Sequence, residues 1–173
     1  ELAKALFASL KHKNSVYIRL TGGSGIPQIY EQDYEFKIGE AVTLKEGNDL
    51  TIIATGQMVN VAIEVSKILS VNDINSEVLN FHTIKPIDEK RIFNCAKKNK
   101  PIITIEEHNI YGGLGSAVSE CLAKVNNSPK MISYGVDDRY TKGGDYDFLK
   151  KKFKLDQNSI AEEIIKMLNN EKS

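Results

Sequence analysis

Two stretches of this chain hold residue types that could do chemistry. The first is Pro101 to Cys121, PIITIEEHNIYGGLGSAVSEC. There Glu106, Glu107 and His108 close an apolar run, and a carboxylate beside an imidazole can act as acid and base on a bound substrate. Gly112, Gly113 and Gly115 then open a helical pattern, where free backbone amides could meet a phosphate. A dinucleotide turn, however, needs its glycines directly after the strand and the spacing G-x-G-x-x-G. Here six residues intervene, two of them carboxylates that repel phosphate, and that spacing is absent. Glycines that let a helix approach a strand closely explain the turn without any ligand.

The second stretch is Val16 to Leu20, where Arg19 stands in a short β-rich run ahead of Gly22, Gly23 and Gly25. A guanidinium fixed beside a glycine-rich loop suits a phosphate or a carboxylate, and equally a structural ion pair. His82 ends a strand-like run and reads as a loop histidine, although it could face the same crevice as Glu106 to His108. His12 ends a helical pattern, and Asp137, Asp138 and Arg139 read as an intraloop charge cluster. Cys95 and Cys121 sit in apolar helical patterns with no C-x-x-C or Cys/His spacing, as reduced core thiols of a cytosolic protein do. No Ser/His/Asp set, metal-ligand cluster or P-loop is present, so the residues alone describe a domain without a self-contained active site.

Positioning these residues falls to an alternation of strands and helices. A helix is expected over 1–13, with Leu2, Ala5, Leu6 and Leu10 on one face. Residues 21–47 read as a linker ending in an edge strand or hairpin. LTIIA from Leu50 is a continuous apolar strand, as in a parallel sheet covered on both faces. A helix from Met58, the strand EVLNF, a helix capped by Asp88, the strand from Ile102, and a helix from Leu114 follow. MISYGV, a short helix capped by Asp145, and a last helix with the capping-box spacing Ser159-x-x-Glu162 complete the pattern. The expected fold is α/β, a three-layer, mostly parallel doubly wound sheet over residues 48–173.

Composition narrows the classes further. With 41% hydrophobic residues in 173, the chain can build a core of its own. Lys and Arg number 23, equal to Asp and Glu, so no basic surface argues for nucleic acid or an anionic membrane. No apolar run reaches the roughly 18 residues of a membrane span. The chain opens at Glu1, without Met and within a helical pattern, which predicts a piece of something larger.

The motifs VYIRLTG, YEFKIGEAVTLKEGNDLTIIATGQMV, NFHTIKPID, ITIEEHNIYGGLGSAVSE and YGVDDRYTKGGDYDFLKKKFKLD, taken in order, resemble the C-terminal part of the transketolase family, and within it the C-terminal section of split transketolases. 1-Deoxyxylulose-5-phosphate synthase shares that domain. So do the β-subunits of 2-oxo-acid dehydrogenases, in which it would act as a docking module. The resemblance implies a thiamine-diphosphate enzyme that moves a two-carbon ketol unit between sugar phosphates. It implies thiamine diphosphate and Mg in the full enzyme, and none bound to this chain alone. It further implies a cytoplasmic location, an N-terminal transketolase portion or subunit as partner, and a homodimer formed through this domain. Residues 1–20 would be the tail of the pyrimidine-binding domain, 21–47 linker and edge strand, and 48–173 the transketolase C-terminal domain. Arg19 is similar to the family arginine that contacts the substrate phosphate. Glu106, Glu107 and His108 would serve an interface or crevice, with no catalytic residue and no metal ligand in this chain.

Overall fold

The computed structural model describes residues 1–20, 28–30, 32–141 and 143–170. Strands β2 (Leu50–Ala54), β3 (Ser76–Asn80), β4 (Ile102–Asn109) and β5 (Met131–Val136) run parallel in the spatial order β3-β2-β4-β5. β1 (Val42–Lys45) joins the β3 edge antiparallel, with a register shift between Thr43 and Lys45. The parallel strands are apolar because helices cover both of their faces. α2 (Met58–Val71) and α6 (Gln157–Asn170) lie on one face over Ile52, Val78, Ile103 and Ile105. α3 (Glu89–Lys97) and α4 (Leu114–Leu122) lie on the other over Ile53, Leu79 and Ile102. The three layers and the mostly parallel sheet are those expected from the sequence.

Caps and turns set the helix limits. Asp88 accepts the Arg91 backbone N–H to start α3, and Asp145 accepts those of Asp147 and Phe148 to start α5 (Tyr146–Lys152), both as expected. α6 differs from expectation, because Asp156 caps it. Its carboxylate accepts from the backbone amides of Asn158 and Ser159 and from the Ser159 hydroxyl, so Ser159 is spent as a donor three residues inside the cap. Gly47 passes so close to β3 that a Cβ there would lie 2.2 Å from the Ser76 carbonyl carbon.

Two expectations for the first twenty residues are corrected. The helix α1 (Leu2–Leu10) ends before Lys13, closed by backbone bonds from Lys11 and His12. Val16–Leu20 pairs with no strand among the described residues. The glycine and proline turn at 21–27 lies outside the described residues. No helix among the described residues is long and apolar enough to cross a membrane.

Candidate functional site

The crossovers that leave β2 and β4 take opposite faces, so the topological switch of the sheet lies between these two strands. Open α/β sheets bind ligands there, outside the strands' carboxyl ends. β4 arrives at this point carrying the acidic cluster, and its ladder with β5 breaks. Ile105 pairs with Tyr134 and Asn109 with Val136, leaving Glu106, Glu107 and His108 opposite the single residue Gly135. Such a bulge re-aims side chains. Gly135 permits it, since a Cβ at that position would stand 2.9 Å from the His108 carbonyl oxygen.

The bulge sends Glu106 beneath the start of α4. Its Oε2 accepts the Leu114 N–H and its Oε1 the Gly115 N–H, each at 2.7 Å. Glu106 is 1% exposed, so its carboxylate is a resident anion at the positive end of the helix. The glycines follow from this position. A Cβ on Gly113 would lie 1.9 Å from Glu106 Oε2, and one on Gly115 would lie 2.8 Å from Ser133 Oγ. The close-packing explanation of the glycine turn is therefore the right one, and the protein's own carboxylate fills the place a phosphate would take.

Glu107 and His108 lie at the rim. Glu107 accepts from the Tyr146 hydroxyl at 2.8 Å, and burial, then this bond, push the Tyr146 phenol upward. His108 is exposed, with Nδ1 2.9 Å from its neighbour Asn109's carbonyl oxygen. Asn109 donates to Asp138 at 2.9 Å, tying the bulge to the loop in which Arg139 pairs with Asp137 at 3.0 Å. The structure does not bring a carboxylate and an imidazole together here, because both Glu106 oxygens face α4. An acid–base pair made of Glu106 and His108 is thus excluded as a working unit.

Arg19 is exposed and makes no hydrogen bond or ion pair with the described residues, so the structural ion pair is not formed among them. It stands well apart in sequence and element from the β4 bulge. His82 stacks on Phe36 with ring centroids 4.1 Å apart, and its Nδ1 meets Thr83 Oγ1 at 2.8 Å. Burial holds its pKa below the ordinary histidine value, while the Glu1 carboxylate opposes that shift. His12 closes a local turn with Asn14.

Cys95 is buried with Sγ 3.7 Å from Glu77 Oε2, and burial, then the Glu77 charge, push its thiol up to about 11. Cys121 is buried and shifted the same way, first by burial. Thiolate, the reactive form, is therefore scarce at Cys95. A maleimide at pH 7 is expected to leave Cys95 unlabelled in the folded chain and to label it after denaturation. Rapid labelling of native Cys95, read by peptide mass, would contradict this environment.

Two polar residues that pattern reasoning passed over prove central. Glu77, 1% exposed in β3, accepts from Arg91 at 2.7 Å, Lys98 at 2.9 Å and Thr51 Oγ1 at 2.9 Å. Asn80, at the end of the same strand, is equally buried and donates to Glu1 and Tyr30. The available signal was a charged and an amide side chain inside the apolar run SEVLNF, which a sheet covered on both faces accepts only when they are paired.

A diphosphate with its magnesium ion, which the resemblance implies for the whole enzyme, needs free amides and clustered oxygen donors. The described residues do not fit it. The amides at the switch point are taken by Glu106, and no group of three His, Cys, Asp or Glu among them could hold a metal ion.

Comparison with known proteins places the fold. A family model described as the transketolase C-terminal domain matches residues 39–160. The chain is 39% identical over 161 residues to the 6-deoxy-6-sulfo-D-fructose transketolase subunit SqwH of Clostridium sp. (strain MSTE9), covering 93% of this chain and 49% of that one. It is 35% identical over 157 residues to the 1-deoxy-D-xylulose-5-phosphate synthase of Desulforudis audaxviator (strain MP104C), covering 90% of this chain and 25% of the other. A solved structure described as a split gene transketolase, inactive beta4 tetramer, superposes with a TM-score of 0.75 at 34% identity, over 84% of this chain and 47% of that one. The chain thus spans about half the length of the transketolase subunits it matches. With a family model matched over 39–160 and a split transketolase superposing over most of its length, the chain belongs to the transketolase family and contains its C-terminal domain.

Proposed function

We propose that this chain is the C-terminal portion of a thiamine-diphosphate-dependent transketolase, which transfers a two-carbon ketol unit between sugar phosphates together with an N-terminal portion or subunit. The observation that carries the reading is a match along nearly the whole chain to about half of a transketolase subunit. Thiamine diphosphate, when bound, supplies the stabilisation of a substrate carbanion. The switch point filled by Glu106 supports a division of labour in which cofactor and metal are held outside these residues.

Residues 1–20 are then the tail of the pyrimidine-binding domain and 21–47 the linker with its edge strand. Residues 48–173 form the C-terminal domain. In support, α1 has no buried residue, and Leu6, Phe7 and Leu10 stand 50%, 69% and 80% exposed, an apolar face that this domain does not cover. Self-association through the C-terminal domain, with Glu107 and His108 at the contact rim, is supported by the relative described as a tetramer of β chains and inactive in that form. The parent chain alone should be inactive, and mixing it with its N-terminal partner should give ketol transfer that requires thiamine diphosphate. Transfer by this chain alone, or none by the mixture, overturns the reading.

Arg19, whose guanidinium is exposed and unpaired among the described residues, is the residue we assign to the substrate phosphate. A charge-assisted hydrogen bond is worth about 1.5–3 kcal/mol, a factor of roughly 10 to 150. Arg19→Ala in the assembled enzyme should raise KM for phosphorylated substrates by about that factor while sparing kcat. Unchanged KM refutes the assignment.

A further inference from the structure

The helix that leads to Arg19 is not held by core packing. α1 buries none of its side chains, and an open groove lined by Phe7 and Phe36 runs between it and residues 35–38. Its start is instead fixed by one carboxylate. Glu1 Oε2 accepts from Asn80 Nδ2 at 2.7 Å, from the Tyr30 hydroxyl at 3.1 Å and from the Tyr34 hydroxyl at 3.3 Å. The Asn80 amide also donates to the Tyr30 oxygen at 2.6 Å, and the two tyrosine rings stack 4.0 Å apart. Lys4, one turn along, reaches the Asp33 carboxylate and the Tyr34 carbonyl and lies 4.6 Å over the Tyr34 ring.

We propose that Glu1, Tyr30, Tyr34 and Asn80 form a polar clasp that sets the position of the segment carrying Arg19, which makes Asn80 a positioning residue for the substrate phosphate. The proposal rests on the reading of Arg19 given above.

The chemistry of the four groups supports a fixed geometry. Asn80 is buried at the carboxyl end of β3, a rigid element of the domain. A carboxylate only accepts, so the amide must present its NH2 to Glu1, and this fixes its orientation. Burial, then Glu1 in opposition to the Asn80 bond, raises the Tyr30 phenol to about 12, and burial raises Tyr34 in the same direction. Both phenols therefore stay protonated donors at neutral pH. Hydrogen bonds of this kind act over short range and fixed angles, unlike an apolar face that can slide. Beyond α1 the chain to Arg19 is exposed except for Ile18, which is half-buried, so among the described residues the anchorage of α1 is what limits where the guanidinium can lie.

The test uses the parent chain assembled with its N-terminal partner. Asn80→Asp sets a second carboxylate against Glu1. In this variant, the helix-bonded backbone amides of residues 5–10 should exchange with deuterium at least tenfold faster. KM for a phosphorylated sugar should rise about tenfold, the factor that goes with roughly 1.4 kcal/mol, while a sugar lacking the phosphate is turned over as before. Adding Glu1→Gln to Asn80→Asp exchanges the roles of amide and carboxylate and should restore both measurements. Normal α1 exchange in Asn80→Asp overturns the clasp, and so does failure of the double substitution to restore it. Faster exchange with unchanged KM overturns the positioning role. Arg19→Ala with unchanged discrimination for phosphate overturns the phosphate reading itself, separately from the exchange result.

Discussion

Replacing Glu106 with alanine should remove roughly 3–6 kcal/mol of folding stability, since two charge-assisted bonds of about 1.5–3 kcal/mol each are lost. The Leu114 and Gly115 amides would be left at the start of α4 with no acceptor, within a layer that also holds Leu114, Val118 and Cys121. A domain of this size has about 5–15 kcal/mol in total, so the variant should lie near the edge of folding. Urea denaturation measures the effect, and a loss below about 1 kcal/mol contradicts the capping role. Gly113→Ala gives an independent measurement of the same contact. Its Cβ would stand 1.9 Å from Glu106 Oε2, so the carboxylate must leave the helix end or the turn must shift. Gly115→Ala should be milder, because the atom it meets first is the Ser133 hydroxyl, which can rotate.

The second large effect concerns Glu77, and here the direction of the asymmetry is the prediction. Glu77 is 1% exposed, whereas the Arg91 and Lys98 side chains paired with it are 28% and 34% exposed. Removing both cations, as Arg91→Met with Lys98→Met, leaves a buried charge with only the Thr51 hydroxyl and the weak Cys95 thiol as donors and should cost about 3–5 kcal/mol. Adding Glu77→Met to that pair removes the stranded charge, fills the same space with an apolar side chain and should recover most of the loss. A triple variant no more stable than the double one would show that the ion pairs, not the stranded carboxylate, dominate this layer. Arg91 also donates to Thr43 Oγ1 at 2.9 Å, so part of the cost is the fastening of the edge strand β1 to β3.

Most elements were legible because they rest on local physics. LTIIA is β2, the helix from Met58 is α2, and Asp88 and Asp145 are caps, each decided by side-chain type within a few residues. The misassignments occurred where two local solutions compete. Ser159 has capping spacing, but Asp156 lies three residues earlier with a stronger acceptor and takes the amides first. Val16 to Leu20 has strand composition, but a strand exists only where another strand accepts its hydrogen bonds, and it pairs with none of the described strands.

What the sequence by itself determined is the α/β class, the order of strands and helices, and the family whose motifs those elements display in order. What only the tertiary structure decided is the role of the polar residues. Glu106, Glu107 and His108 are equally plausible acids and bases as letters. The bulge opposite Gly135 separates them, seating Glu106 under α4 and leaving His108 at the surface. Asn80 and Glu1 are 79 positions apart, and Glu77 meets Thr51 across 26. Hydrophobic period and capping act over one or two turns and can be read in order along the chain. The partner of a buried charge is fixed only when the sheet closes and brings distant strands to about 5 Å spacing.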